Sequence, residues 1–341
     1  MRLQFLLILA GSGIASLGPF GCLMLAQRPP VFRARTEQVV VPVTVKDTKG
    51  QLLEGLQASD FRVLEDGVEQ KIAAFSADPV PLSVAILIDA GLSRPTAVRL
   101  RATFPSLSEA FGEFDEVAVF SFDQGFRTVA GFTSERERIY DALKQAEIGA
   151  DYSQAGEPLS SPTPRVNGWP VGGPPPSGRA GAASTSQLLK NIDDAVYAAA
   201  RLLSARDPSR RKVILLISDG LNSARNQVSV PELLATLRKS GVAVYSIGLD
   251  DAKLSRSFNV LARYGPPSGG EMFTALKKTA IEPLYARIFE QARYQYVLAY
   301  VPQKPPTVAP VFRAIEVRVK RPAVTVIARD GYIPEPRAPQ P

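Results

Sequence analysis

LSVAILID (82–89) and KVILLISDG (212–220) decide the fold. Each is a nearly unbroken apolar run of strand length, and each closes on an acid, Asp89 in the first and Asp219 in the second. A strand that is apolar on successive residues is buried on both faces, as in a parallel sheet covered by helices. EVAVFSF (116–122) and VAVYSIGLD (242–250) repeat the pattern. Between these runs, residues 96–112, a segment opening at Thr133, Leu188 to about Ala205, PELLATLRKSG closed by Gly241, and residues 254–263 and 276–293 carry helical spacing. The Thr133 segment, TSERERIYDALK, has acids early and Lys144 late, which suits the helix dipole. Alternating strands and helices predict an α/β domain over residues 81–293: a doubly wound, mostly parallel sheet with helices on both faces.

The flanks read differently. QVVVPVTVK (38–46) alternates, and DFRVLEDGVEQKIAAF reads as strand, tight turn at Asp66-Gly67, strand. The tail returns to this pattern in YQYVLAYVP, FRAIEVRVKR and AVTVIARDGY. The N-terminal segment (32–80) and the C-terminal one (294–335) are expected to pair as a small β domain into which the α/β core is inserted, with EPRAPQP as a frayed end. Residues 149–187 are dominated by proline, glycine and serine and predict a disordered surface insertion, since they hold too little apolar surface to offset ordering entropy. A short recognition segment around Trp169 is the rival reading.

The chain has 341 residues, 45% of them apolar and 21% charged, enough for a real core. Its net charge is 40 − 33 = +7, with the basic residues scattered, so no nucleic-acid groove is expected. There is no histidine, which excludes a Ser-His-Asp triad, a Cys-His pair and any histidine-bound zinc. The single cysteine, Cys22, forms no internal disulfide and no cluster site. Any metal here must be a hard cation such as Mg²⁺ on oxygen ligands.

Arg2 precedes a long apolar run from Leu3 to Ala26. Residues 1–27 read as a secretory signal or as a retained membrane anchor through residues 3–26, with lipidation at Cys22 a third option. Each places the globular part outside the cytoplasm: secreted, periplasmic or attached to the cell envelope.

Open parallel sheets bind ligands at the carboxyl ends of their strands. Asp89, followed by Ser93 in D-A-G-L-S, and Asp219, flanked by Ser218 and Gly220, meet that condition. The bland alternative is that both acids cap local backbone. LSVAILIDAGLS with KVILLISDG resembles the von Willebrand factor A family, and VPVTVKDTKGQLLEGLQASDFRVLEDGVEQKIAAFS at the head with YQYVLAYVP, FRAIEVRVKR and ARDGY at the tail resembles the acidobacterial members of that group. The resemblance covers roughly residues 32–335, apart from the insertion. It implies a metal-ion-dependent adhesion site built on D-x-S-x-S, a threonine and a second aspartate. Gly91 stands where that motif has its first serine. Aligning KNIDDAVY with the family's helix start matches Asp194 and puts Lys190 in the threonine's place. What the resemblance leaves is a degenerate metal set of Asp89, Ser93 and Asp219, within a partner-binding rim of Asp89, Gly91, Ser93, Lys190, Asp219 and Gly220. Thr185 or Ser186 would substitute only if the insertion folds back. An ammonium beside two carboxylates competes with a divalent cation, so Lys190 is expected to pair with Asp89 or Asp219 and plug the site.

Other motifs have plainer readings. Asp66-Gly67 is a turn, Asp193-Asp194 an exposed helix start, Arg210-Arg211-Lys212 a solvated approach to a strand, and Asp330-Gly331-Tyr332 a strand terminus with an aromatic contact. No G-x-G-x-x-G or G-x-x-x-x-G-K-[ST] follows a strand, so nucleotide binding is not expected. The expected function is a non-enzymatic exported module for protein interaction or adhesion, its partner unidentified. The alternatives are a membrane-anchored envelope assembly factor with the same domain, and a hydrolase using Ser93 with Lys190 as base.

Overall fold

Alternating valines shape the first strand: in β1 (Val39–Lys46), Val39, Val41, Val43 and Val45 are buried. The computed structural model describes residues 38–149, 165–166, 169–170, 190–249, 255–275, 280–304 and 311–334. Strands β2 (Phe61–Glu65) and β3 (Val68–Gln70) form a hairpin across Asp66-Gly67. Both turn residues have positive φ, 48° and 80°, the backbone that matches the twist of a two-residue hairpin. After Lys71 the chain departs from that hairpin, and β4 (Ile72–Ser76) joins another sheet.

The α/β core follows as β5 (Leu82–Asp89), α1 (Arg94–Ala102), α2 (Phe104–Glu109), β6 (Glu116–Phe122), β7 (Phe126–Thr133) and α3 (Arg136–Gln145). The two-residue strands β8 (Arg165–Val166) and β9 (Trp169–Pro170) pair antiparallel. Then come α4 (Ile192–Ser204), β10 (Arg211–Ser218), α5 (Val230–Ser240), β11 (Val242–Leu249), α6 (Ser255–Ala262), α7 (Gly265–Ser268), β12 (Met272–Ala275) and α8 (Glu282–Arg293). The central sheet has the order β12-β11-β10-β5-β6-β7, parallel throughout except for β7, which runs antiparallel at one edge. Leu82, Val84, Ile86 and Ile88 of β5 face the cluster that contains α1, α2, α3 and α8. Ala85 and Leu87 face the cluster built with α4 and α5. Period-two alternation thus supplies both faces of the sheet, as the unbroken apolar runs require.

The chain ends in β13 (Tyr296–Tyr300), β14 (Arg313–Val319), β15 (Thr325–Ala328) and β16 (Gly331–Tyr332). These flanking strands combine with those of the head in two antiparallel four-stranded sheets, β15-β1-β13-β4 and β16-β14-β2-β3. The two sheets share one apolar cluster that includes Val41, Val43, Phe61, Val63, Leu298 and Tyr300. Tyr296 sits within it against Phe61 and Phe75, with ring centroids 5.2 and 5.9 Å apart.

Three readings of the core need correction. The helical stretch 96–112 is two helices, broken at Thr103, because Pro105 lacks an N–H and its ring clashes with the carbonyl four residues earlier. The Thr103 hydroxyl donates to the Leu100 carbonyl at 2.7 Å and meets the Tyr285 hydroxyl at 2.8 Å. Thr133 ends β7 instead of starting a helix, and α3 begins at Arg136. Strands β7 and β12 escaped the sequence reading: β7 is an edge strand with no fully buried residue, and β12 has only four residues. The N-terminal apolar stretch, Cys22, the EPRAPQP end and nearly all of the 149–187 insertion lie outside the described residues.

Candidate functional site

Strands β5 and β10 are parallel neighbours, with Ile88 opposite Ile217. The chain leaves β5 toward α1 on one face and β10 toward α5 on the other. The two loops diverge, which makes this a topological switch point with a crevice at the carboxyl ends of the strands. Asp89 is the last residue of β5, and Asp219 directly follows β10.

Lys190 enters the crevice from the start of α4. Its carbonyl accepts from the Ser223 amide at 2.8 Å, and the next amide, that of Asn191, donates to the Asp123 carbonyl at 2.7 Å. The Lys190 ammonium donates to Asp89 Oδ2 at 2.9 Å and to Asp219 Oδ2 at 2.6 Å. Asp89 and Lys190 are fully buried, and Asp219 is 8% exposed. The remaining oxygens are also occupied. Asp89 Oδ2 accepts from the Ser218 hydroxyl at 2.6 Å and Oδ1 from the Gly91 amide at 2.9 Å. Asp219 Oδ1 accepts from the Leu221 amide at 3.0 Å, and Ser218 Oγ accepts from the Gly220 amide at 3.0 Å.

Burial pushes Asp89 up to about 6: it outweighs the pull of the Lys190 ammonium, and Asp219 adds to the rise. Burial acts on Lys190 in the opposite sense, but the two carboxylates exceed it and hold the ammonium above the ordinary lysine range. At neutral pH the Lys190 ammonium therefore stands charged in the triad, and Asp89 takes up a proton as pH falls through about 6.

Ser93 does not join them. It is exposed, caps α1 by accepting from the Thr96 amide at 3.4 Å, and meets the Thr96 hydroxyl at 2.8 Å. Thr185 and Ser186 lie outside the described residues. A divalent cation at this rim needs the carboxylate oxygens that now accept from Lys190, Gly91 has no hydroxyl to offer, and the Ser93 hydroxyl is engaged elsewhere. The residues present do not fit a metal. Among the described residues, no group of three or more acidic, histidine or cysteine side chains is arranged to hold one.

The start of α4 is a second correction. Asp193 is 4% exposed, not a solvated helix start: Oδ1 accepts from Arg263 and from the Tyr264 hydroxyl at 2.7 Å, and Oδ2 from Asn222 at 2.8 Å. Asp194 Oδ1 accepts from the Gln227 and Val228 amides, both at 2.9 Å, and Asn222 Oδ1 accepts from the Ile192 amide at 3.0 Å. Burial, with Asp193 alongside, drives the Tyr264 hydroxyl far above its ordinary pKa. This network clamps α4 to the loop after β10 and so sets where Lys190 stands. Arg263 and Tyr264 had no signal in the sequence. Asn222 carried a weak one, as a loop amide of the kind that bonds backbone.

No family model matches the chain, and no curated protein matches it. Among solved structures, proximal thread matrix protein 1 from the mussel byssus is similar at 18% identity and a TM-score of 0.42, over 67% of this chain and 49% of that one. This chain therefore spans about half the length of the mussel protein. A second structure of the mussel protein has zinc in its MIDAS motif. BatB from Bacteroides thetaiotaomicron is similar at 11% identity and a TM-score of 0.40, over 62% of this chain and 98% of that one. The vWF domain of a type V pili tip protein from Porphyromonas gingivalis is similar at 12% identity and 0.41, over 63% and 95%. The fold rests on the strand order and registers of the chain itself.

Proposed function

We propose that this chain is an exported von Willebrand factor A-like module of the acidobacterial type, which docks a protein partner on the rim above β5 and β10 without a metal ion. The observation that carries this reading is the Lys190 ammonium, hydrogen-bonded to both Asp89 and Asp219 where a bridging cation would need the same oxygens. A fixed internal cation keeps the rim loops tied together and leaves recognition to their side chains, including Leu221, which is 41% exposed beside Asp219. Docking then depends on shape and on the exposed Ser93 and Leu221, with the buried Gly91 and Gly220 shaping the rim backbone beneath them, and it is indifferent to chelators. The domain division that goes with this reading is a head of 32–80 and a tail of 294–335 around the 81–293 core, with residues 1–27 as export signal or anchor.

A Ser93–Lys190 hydrolytic dyad is not favoured. A general base must be neutral, and Lys190 is held protonated by two carboxylates while Ser93 faces α1.

Calorimetric titration of the full chain with Mg²⁺ and Mn²⁺ tests the reading. Wild type is expected to show no saturable heat. Lys190→Thr, which removes the ammonium and adds a hydroxyl, is expected to gain divalent binding that is lost again in Lys190→Thr/Asp89→Ala. Micromolar binding by wild type that disappears in Asp89→Ala contradicts the reading.

A further inference from the structure

A cleft of about 560 Å³ opens at the other end of the central sheet, between the amino ends of β10 and β11, the carboxyl end of α5, and the flanking strands β1 and β13. Arg211 starts β10 and Ser218 ends it. At about 3.3 Å per residue, the cleft lies roughly 23 Å from the Lys190 rim. That volume falls within the range of small-molecule sites.

The charge on its wall is one-sided. Arg210, Arg211, Lys212, Arg238, Lys239 and Arg329 line the cleft, and among the described residues no aspartate or glutamate does. Among the described residues, only Arg238 of these six forms an ion pair, with Asp330 at 2.6 Å. Arg211 is 9% exposed, which corrects the solvated-approach reading of Arg210-Arg211-Lys212. Its Nη1 donates to the Ala292 carbonyl at 3.2 Å and to Gln295 Oε1, both neutral acceptors. Burial pulls the Arg211 pKa down to about 10, the sign of a cation without a counter-ion. Arg329 lies 5.8 Å from the centre of the Tyr332 ring, and its Nε is shielded from solvent with no hydrogen-bond partner among the described residues. Arg211 is thus a buried guanidinium on neutral acceptors and Arg329 adds a shielded donor beside the same cleft, an arrangement that costs free energy until an anion arrives.

The rest of the wall says what kind of anion. Val39, Leu237, Ala243 and Val297 give it apolar surface. A guanidinium fork matches a carboxylate in two parallel hydrogen bonds, whereas a fully hydrated inorganic anion gains nothing from valine and leucine.

We infer that this cleft is a binding site for a small organic anion: a carboxylate on an apolar body, its charge set between Arg211 and Arg329 and its body against Val39 and Val297. The inference is independent of the rim reading, because no residue is shared between the two sites.

The test uses the full chain with 4-phenylbutyrate as probe, 4-phenylbutyramide as its uncharged counterpart and inorganic phosphate as the anion without a body. Binding is read by amide NMR shifts and by calorimetry. The expected result is saturable shifts at the Arg211, Lys212, Gly241 and Gly269 amides with phenylbutyrate, and affinity at least about tenfold above that of either control. Arg211→Met is expected to weaken phenylbutyrate by about tenfold or more. Because Arg211 also bonds Ala292 and Gln295, Ser209→Glu is the second variant: it places a tethered carboxylate at the exposed lip and is expected to weaken the probe while the circular dichroism spectrum stays native. Absence of shifts at these amides with millimolar probe overturns the inference. So does equal binding by the butyramide or by phosphate, and so does unchanged affinity in a folded Ser209→Glu variant.

Discussion

Lys190 is a fully buried lysine whose ion-pair partners among the described residues are two carboxylates, and its energetics are those of a buried triad rather than of a surface bridge. Such groups add little net stability when complete, but they leave a stranded charge when one member goes. Lys190→Met is therefore expected to destabilise the fold by about 3–5 kcal/mol at pH 7 in urea melts, and by less at pH 5, where Asp89 takes up a proton. Asp89 itself sets a pH dependence of known sign. Its pKa in the fold, about 6, lies above the ordinary 3.8, so its stabilising contribution is full below about pH 4 and is lost as pH rises through about 6. Wild type should gain stability relative to Asp89→Asn between pH 7 and pH 4, by about 3 kcal/mol at most. A stability gap that is flat over that window contradicts the assignment. At this scale the two acids were legible, because each closes an apolar strand run. The burial of Asp193 was not: Arg263 and Tyr264 lie 70 and 71 residues away, and only the tertiary fold brings them together.

Among the elements, those built on long apolar runs or clear caps were readable. The run 82–89 became β5, and α5 ends on Gly241 in the left-handed conformation at φ 64°. Failures came where one residue overrode a pattern. Pro105 splits a helical stretch in two, and Lys71 marks the point where the second arm of a hairpin divides between two sheets. Packing at Gly270, just before β12, is similarly local. A Cβ there would stand 2.0 Å from the Val244 carbonyl oxygen of β11. Gly270→Ala must displace backbone and is expected to cost about 1–3 kcal/mol or more. Gly125→Ala, where a Cβ meets nothing within 4 Å, is the matched control and should be close to neutral in the same urea titration.

For the whole molecule, the first four strands and the last four form a shared framework beside the α/β core. Gln295 bridges framework and core, donating to Thr44 at 2.9 Å while accepting from Arg211, and Arg238–Asp330 and Lys46–Glu271 span other points. The flanking sheets and the core are accordingly expected to unfold in one transition, with far-ultraviolet and near-ultraviolet circular dichroism melting together. Two separated transitions would show that the β framework folds alone. The alternation of strand and helix made the core legible, and the β-rich ends made their pairing a natural expectation. The basic cleft was not legible, because its six cations come from three separate segments, 210–212, 238–239 and 329, that only the tertiary fold brings together. The central claim, that an ammonium stands where the rim would otherwise need a metal, is most directly tested by diffraction from crystals soaked in Mn²⁺. The account predicts density for Lys190 Nζ between Asp89 and Asp219 with no anomalous peak there. A manganese peak bridging the two carboxylates, with Lys190 turned away, would contradict it.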